Sequence, residues 1–521
     1  MTGRPPRVSA AFCGLLAVFA VFAAFGAPAR AVDRALGADV PKPVVTGTPW
    51  TDAEIAALGA KLDLELTGAS ALRGAHAALY AIDARDGRVL YRRNADDAFQ
   101  PASTLKLVVG SAALDKLGPE FRFRTEASIE NTVVDGVLRG YLTLRGSGDV
   151  LLSDRDLAGL PDALRAVSIR EIEQDVVPAL GDDPQYLPGW SWDDFPWYYA
   201  APITALGYAD DQVTVTVTPG ARAGDPVRTA VEPWGATFPD NGSCAPYAMS
   251  FCIRVAARTG APGAVSTLDA VRGGPGYPEL SIVGTIALDA KPEHLSLAAP
   301  NPPRFAAAAA RRVIGAAGIP VRARGVVVEL RHTDDNAPRR VVWTHDSEPL
   351  SDLLADLWEP SDNMLAETLL RAVGATPPAR YGTSAAGLAA EKTWLRGLGI
   401  ETEPLALEDG SGLSAYDRIT PRALVTILKH DWDGPYRDVV LDDLPIAGVR
   451  GTLKPAFVGT PAEKRVFAKT GSLSHVSSYA GYVANAKHGA VIFAFPVDDW
   501  VGDAAPLRAL RARVLSELAE R

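Results

Sequence analysis

The sequence predicts an α+β fold, a five-stranded antiparallel sheet flanked by helices and interrupted by a large β-rich insertion. Strand-like alternation stands near the start, at 76–83 and 89–91 around the turn Arg85-Asp86-Gly87, and again near the end, at 466–469, 478–483 and 490–495. Helical spacing fills the region before those last strands, at 305–317, 350–358, 364–373 and 384–398. From about 122 to 343 the texture changes to short apolar runs (137–144, 213–217, 280–287) separated by Gly and Pro clusters. A sheet drawing strands from both ends of the chain, with helices on its faces, accommodates all three patterns.

Taken in order, Arg4 and Arg7 precede an uncharged apolar run at 8–25, and Ala27-Pro28-Ala29-Arg30-Ala31 follows. That order describes a secretory signal cut after Ala31. The run also approaches the length of a bilayer span, so retention as an N-terminal anchor is the alternative. Either outcome places the remainder outside the cytoplasm. Residues 32–50 hold Pro41, Pro43, Gly47 and Pro49 without periodicity and read as a linker. A helix follows at 51–66, with Thr51 as cap before Glu54, and an amphipathic helix at 506–518 closes the chain. The organisation is therefore a signal at 1–31, a linker at 32–50, a main domain in two segments at 51–124 and 341–521, and inserted β-rich module(s) at 125–340.

At 521 residues the chain has room for roughly three domains and a large core. A net charge of -10 argues against a nucleic-acid partner. Of three cysteines, Cys13 lies in the signal, while Cys244 and Cys252 stand close together in a turn-rich stretch and read as a short disulfide-closed loop in an oxidising compartment. The seven histidines form no pair at metal spacing, and no metal or other cofactor is expected.

The chemistry-bearing residues fall in three places. The run 103–117, closed by Gly118, predicts a helix whose first turn carries Ser103 and Lys106 on one face. An amine beside a hydroxyl can take its proton as the hydroxyl attacks a carbonyl, and the helix N-terminus offers an unpaired N–H to the resulting oxyanion. A lone Ser-x-x-Lys is more often a solvated helix turn, but here no other lysine has a serine three residues before it. Ser361-Asp362-Asn363 lies between two predicted helices, where Ser and Asn are also ordinary helix-start residues. Its hydroxyl can relay a proton and its amide can orient a lysine or hold a carbonyl. Lys469-Thr470-Gly471-Ser472 lies on a predicted edge strand, suited to holding a carboxylate with Lys469 and Thr470 while Gly471 allows close approach. The N–H of Ser472 would be the second oxyanion donor, and the bland reading is an edge lysine that discourages aggregation.

Two stretches in the insertion also stand out. Gly146-Ser147-Gly148-Asp149 reads as a turn, since no Lys-Ser or Lys-Thr follows it. Gly189-Trp190-Ser191-Trp192-Asp193-Asp194, followed by Trp197, Tyr198 and Tyr199, reads as aromatic packing between modules, with a sugar-stacking surface as the alternative.

Ser-x-x-Lys, Ser-Asp-Asn and Lys-Thr-Gly in this order are the signature set of penicillin-binding proteins and class A β-lactamases. With the long gap between Lys106 and Ser361, the loop Asp409-Gly410-Ser411-Gly412-Leu413-Ser414, and the stretches Leu444-Pro445-Ile446-Ala447-Gly448 and Val476-Ser477-Ser478-Tyr479-Ala480-Gly481-Tyr482, the chain resembles the low-molecular-mass class C penicillin-binding proteins, the D-alanyl-D-alanine carboxypeptidase/endopeptidase family. The resemblance runs from about Leu66 to the C-terminus, and it departs at Asp210-Asp211-Gln212, where an asparagine is expected. It implies a penicillin-binding/serine β-lactamase-like main domain, with Ser103 acylated, Lys106 as its general base, and Ser361 and Asn363 as proton relay and orienting pair. Lys469, Thr470, Gly471 and Ser472 would bind the substrate's terminal carboxylate and scissile carbonyl, and Ser411 and Ser414 would line the site. The partners implied are peptidoglycan stem peptides and, as covalent inhibitors, β-lactam antibiotics. Contact with a membrane would come only through an uncleaved N-terminal segment. A serine β-lactamase and a non-catalytic β-lactam-binding cell-wall scaffold or receptor remain as rival readings.

Overall fold

The early hairpin forms strands β1 (Leu79–Asp83) and β2 (Val89–Arg93), and the late strands are β3 (Val466–Leu473), β4 (Val476–Asn485) and β5 (Gly489–Asp498). In this computed structural model, which describes residues 40–179, 185–233, 237–239, 252–273, 279–322 and 339–520, they make one antiparallel sheet in the order β3-β4-β5-β1-β2. The expected signal at 1–31 and Cys244, and with Cys244 the bridge to Cys252, lie outside the described residues. Both ends of the chain meet at the middle of the sheet, where Tyr80 pairs with Ala494 and Ile82 with Ile492. His76 and Ala77 extend the same pairing to Asp498 and Val497.

Side chains alternate across a strand, so each strand feeds two cores. Leu79, Ala81, Phe493 and Phe495 join the core under the terminal helices, whereas Tyr80, Ile82, Ile492 and Phe467 join the core under the central ones. The longer helices of the main domain are α1 (Asp52–Thr67), α2 (Lys106–Leu117), α3 (Leu350–Trp358), α4 (Asn363–Val373), α5 (Ser384–Gly397), α6 (Pro421–Asp433) and α7 (Ala504–Glu520). Thr51 caps α1 as its spacing to Glu54 suggests: Glu54 N–H donates to Thr51 Oγ1 at 3.2 Å, and Thr51 N–H donates to Glu54 Oε2 at 2.9 Å. Such a cap contributes about 1 kcal/mol.

Residues 40–50, expected to be part of a linker, instead lie along the turn before β5. Ala490 N–H donates to the Val44 carbonyl at 2.9 Å, and Trp50, only 3% exposed, stacks on His488 with ring centres 3.8 Å apart. A Cβ on Gly47 would sit 2.3 Å from the His488 carbonyl carbon, so the segment can approach this closely only with glycine there.

The chain leaves the main domain along Arg124–Ile129 and returns along Arg340–Asp346. These two strands pair antiparallel, Arg124 opposite Asp346, in a sheet completed by Leu142–Arg145 and Val176–Pro178. Arg124 closes this doorway with a forked ion pair to Asp346, at 2.6 and 2.7 Å. Beyond it, Gln212–Thr218 pairs with Arg228–Glu232 and Glu293–Ala298, and with the helix Pro302–Ala316 these strands bury a core of their own. The apolar run at 280–287 divides into Glu279–Val283 and Thr285–Ala287 at Gly284, where φ is +91° and a Cβ would lie 1.9 Å from the Thr267 carbonyl. Periodicity alone does not reveal that break, because the close approach is made by a distant segment.

Candidate active site

The site lies where the free edge of β3 meets the N-terminal end of α2. The expected α-helix at 103–117 begins instead as a 3-10 turn, Ala102–Leu105, and becomes α-helical only at Lys106. The cause is tertiary. Ala102 is held at φ +46°, and Gly412, itself at φ +79°, passes so near that a Cβ on it would lie 1.9 Å from the Ala102 carbonyl oxygen. On the other side Gly471 of β3 crosses over the same turn. A Cβ there would meet the Pro101 carbonyl oxygen at 2.5 Å and the Ser103 nitrogen at 3.0 Å. Two glycines therefore let loop 409–414 and β3 close onto the turn that carries Ser103.

Lys106 is fully buried, and its Nζ donates to Ser103 Oγ at 3.0 Å, to Asn363 Oδ1 at 2.6 Å and to the Ser411 carbonyl at 2.7 Å. Burial pulls its pKa down to about 8, against the opposing pull of Asp409, Asp362 and Glu367. Such an amine is partly neutral near physiological pH. Trp358 holds the helix from behind, its Nε1 donating to the Lys106 carbonyl at 3.1 Å.

Lys469, also fully buried, donates to Ser361 Oγ at 2.8 Å and to the Thr470 carbonyl at 2.9 Å. Burial first, and the charge of Lys106 second, push its pKa well below the usual lysine value. Ser361 sits at φ +69°, a conformation that costs a non-glycine residue about 1–2 kcal/mol, and it turns the chain between α3 and α4. Asp362 then caps α4 by accepting from Leu365 N–H at 2.9 Å. Asn363 uses both ends of its amide, Oδ1 toward Lys106 and Nδ2 donating to the Tyr199 carbonyl of the inserted module at 2.8 Å.

Alternate N–H groups of a strand point the same way. Ala468 N–H leaves the outer edge of β3 to reach the Pro445 carbonyl at 3.0 Å, so the N–H groups of Thr470 and Ser472 point off that same edge. Thr470 Oγ1 donates to Thr452 Oγ1 at 2.7 Å. Ser103, Lys106, Ser361, Asn363, Lys469, Thr470, Gly471 and Ser472 thus come from three distant segments to one place. The hydroxyl groups of the two loop serines are engaged within and beside the loop. The Ser411 hydroxyl receives Leu413 N–H at 3.3 Å, while the Ser414 hydroxyl donates to the Pro188 carbonyl at 2.8 Å. What this loop presents to the site is the Ser411 backbone carbonyl. The loop is shaped by Asp409, which accepts from the N–H groups of Gly412 and Ser414, both at 2.7 Å.

The family model described as D-Ala-D-Ala carboxypeptidase 3 (S13) matches residues 58–518. The chain belongs to the S13 family. Among S13 relatives, the D-alanyl-D-alanine carboxypeptidase of Actinomadura sp. (strain R39) is 31% identical over 467 residues, 86% of this chain and 82% of that one. The crystal structure of penicillin binding protein 4 from Haemophilus influenzae is similar at TM-score 0.74 and 25% identity, over 89% of this chain and 99% of that one. Its complex with a β-lactam gives TM-score 0.70 at the same identity and coverage. This S13 chain is a serine peptidase, a hydrolase with a penicillin-binding fold.

Several of its site contacts have no motif. The Tyr199 carbonyl, the Ser411 carbonyl, and the Glu367 carboxylate that receives Gly410 and Ser411 N–H at 3.0 and 2.9 Å are found only in three dimensions. Within the aromatic stretch at 189–199, Trp190 and Phe195 pack the inserted module onto the main domain, while Trp192 is exposed. Trp190 is buried and its Nε1 donates to Asp409 Oδ2 at 2.9 Å, with Tyr186 edge-on to both Trp190 and Phe195.

Proposed function

We propose that this S13 peptidase removes the terminal residue of peptidoglycan stem peptides ending in D-alanyl-D-alanine, through an acyl-enzyme on Ser103. The contact of the buried Lys106 Nζ with the half-buried Ser103 Oγ, 3.0 Å apart, carries the reading. Neutral Lys106 takes the hydroxyl proton as Ser103 Oγ attacks the carbonyl of the penultimate residue. The oxyanion forms between the N–H groups of Ser103 and Ser472, donors of the kind whose individual loss costs about a hundredfold or more in rate. Collapse breaks the C–N bond, and the proton held by Lys106 reaches the departing amine through Ser361. Water then attacks the ester, giving a proton to Lys106, and as the C–O bond to Ser103 breaks Lys106 returns that proton to the Ser103 oxygen.

Lys469 and Thr470 hold the substrate's terminal carboxylate. An incoming anion reverses both influences that depress Lys469, since it supplies an opposite charge where the enzyme alone supplies burial and a like charge. Asn363 orients Lys106, its amide being engaged at both ends. A β-lactam enters the same chemistry with its leaving nitrogen still tethered in the opened ring, so the ester on Ser103 persists. The β-lactam complex of the Haemophilus influenzae protein supports this. The enzyme works outside the cytoplasm, where its polymer substrate lies, delivered there by the apolar N-terminal segment.

The deciding experiment offers a pentapeptide stem and measures free D-alanine. Release by the wild type and none by Ser103→Ala is the expected result. A labelled penicillin that acylates a residue other than Ser103 overturns it. Rapid turnover of a chromogenic β-lactam would favour a β-lactamase, and acylation without any alanine release would favour a receptor. Mass spectrometry of digested sacculi assigns the bond: loss of one alanine marks carboxypeptidase action, and loss of cross-linked dimers marks endopeptidase action.

A further inference from the structure

The inserted module touches the Ser361–Asn363 turn at two points, and only one of them is explained by the chemistry above. The first is the Tyr199 carbonyl, which receives Asn363 Nδ2 at 2.8 Å. The second is Asp210. It sits in the middle of three consecutive residues with left-handed backbone, Ala209, Asp210 and Asp211 at φ 54°, 58° and 50°. This turn brings the Asp210 carboxyl group up against that of Asp362, while Asp210 Oδ1 is buried with no other partner. Ala209 and Asp210 N–H bind the Leu152 and Val150 carbonyls, both at 2.8 Å, which fixes the turn's position within the module.

Two carboxyl groups pressed together at half-buried positions, with Asp210 Oδ1 itself out of solvent, do not both carry a charge, and one supplies the proton between them. Asp362 is the group equipped to carry charge. It accepts from Leu365 N–H at 2.9 Å and from Met364 N–H, and it feels the cation of Lys106. Asp210 has no such support. The groups that face it are acids, Asp362, Asp211 and Asp356, with the Tyr198 phenol beside both members of the pair, and its buried Oδ1 meets no donor. Burial and these neighbours accordingly drive its pKa well above the ordinary aspartate value.

We propose that Asp210 is a positioning residue of this active site: it keeps its carboxyl proton and donates it to Asp362, so that the inserted module clamps the turn carrying Ser361 and Asn363. The assignment rests on the reading of Ser361 and Asn363 as parts of the acylating machinery. It gives the insertion a part in the reaction, because Asp362 links the clamp to Lys106. It also accounts for the departure of 210–212 from an asparagine-containing pattern, since a protonated carboxyl, like an amide, donates a hydrogen bond.

The test compares Asp210→Asn and Asp210→Ala with the full-length wild type, using benzylpenicillin acylation of Ser103 followed across pH. Asn still donates and removes no charge, so its acylation rate is expected within about threefold of wild type, with an unmoved pH midpoint. Ala removes the donor, and its rate is expected to fall about tenfold or more. A midpoint lowered by about half a unit or more in Asp210→Asn would mean that a negative charge had been lost, and would overturn the proposal. An Ala variant as fast as wild type would overturn it too. Infrared difference spectra of wild type against Asp210→Asn give a readout that needs no activity. A protonated-carboxyl stretch present only in the wild type is expected, and its absence would sink the assignment even if the Ala variant fails to fold. Failure of the wild type itself to acylate on Ser103 would instead remove the functional reading on which the clamp's role depends.

Discussion

Lys469 Nζ donates to Ser361 Oγ at 2.8 Å, joining the cation of one motif to the hydroxyl of another across a gap of 108 residues. A substrate carboxylate arriving at Lys469 therefore meets a charge already tied to the proton relay. Lys469→Ala should lower kcat/KM for a peptide with a free terminal carboxylate by about a hundredfold, the scale of a lost charge-assisted contact. The informative control is the same peptide with a terminal carboxamide. Wild type should discriminate strongly between the two peptides and Lys469→Ala hardly at all. Equal discrimination by both enzymes would show that the carboxylate is held elsewhere.

Acylation should depend on pH through Lys106. Burial brings this amine down to about 8, and only its neutral form can accept the Ser103 proton. The rate of penicillin acylation is thus expected to be low on the acid side, to rise as pH passes about 8, and to level off above it. Lys106→Arg, charged at every accessible pH, should be slower by about two to four orders of magnitude and should show no such rise. Stopped-flow acylation between mildly acid and alkaline pH measures both.

Much of this molecule could be read before folding, and the exceptions share one cause. Apolar spacing marks the helix at 350–358, and alternation marks the three late strands over only part of their length. Ladder pairing to the neighbouring strand carries β3 through Thr470, Gly471 and Ser472, although glycine and serine have little intrinsic preference for a strand. The turn holding Ser103 was expected to be α-helical because the sequence there does not reveal the close approach of Gly412. Backbone acceptors such as the Ser411 and Tyr199 carbonyls have no residue signature at all. Residues 40–50 lack periodicity and so resemble a linker, yet Trp50 anchors them on His488. What escaped the sequence, in each case, was a contact between segments far apart in the chain.

Gly471→Ala tests how closely β3 must approach the nucleophile. The added Cβ would overlap the Pro101 carbonyl oxygen at 2.5 Å, and both partners are backbone, so neither can move alone. Overpacking of this kind costs about 1–3 kcal/mol. The variant should melt a few degrees below wild type, and its acylation should fall by about tenfold or more as the Ser103 turn shifts relative to the Ser472 N–H. Thermal denaturation and acylation rate, measured on the same sample, separate the two effects. An unchanged acylation rate would mean that the strand and the turn are not coupled as their contact implies.

Ser361 offers the sharpest separation of stability from chemistry. Its backbone lies at φ +69°, which strains any residue with a Cβ, and its hydroxyl receives Lys469. Ser361→Ala and Ser361→Gly both delete the hydroxyl, so the loss of that hydrogen bond and of the relay is common to the pair. They differ in backbone strain, which glycine relieves by about 1 kcal/mol, set against the greater freedom glycine gives the unfolded chain. Ser361→Gly should therefore unfold at higher denaturant than Ser361→Ala while both release D-alanine far more slowly than wild type. If Ala were the more stable of the two, the left-handed turn would not be a strained feature held for function.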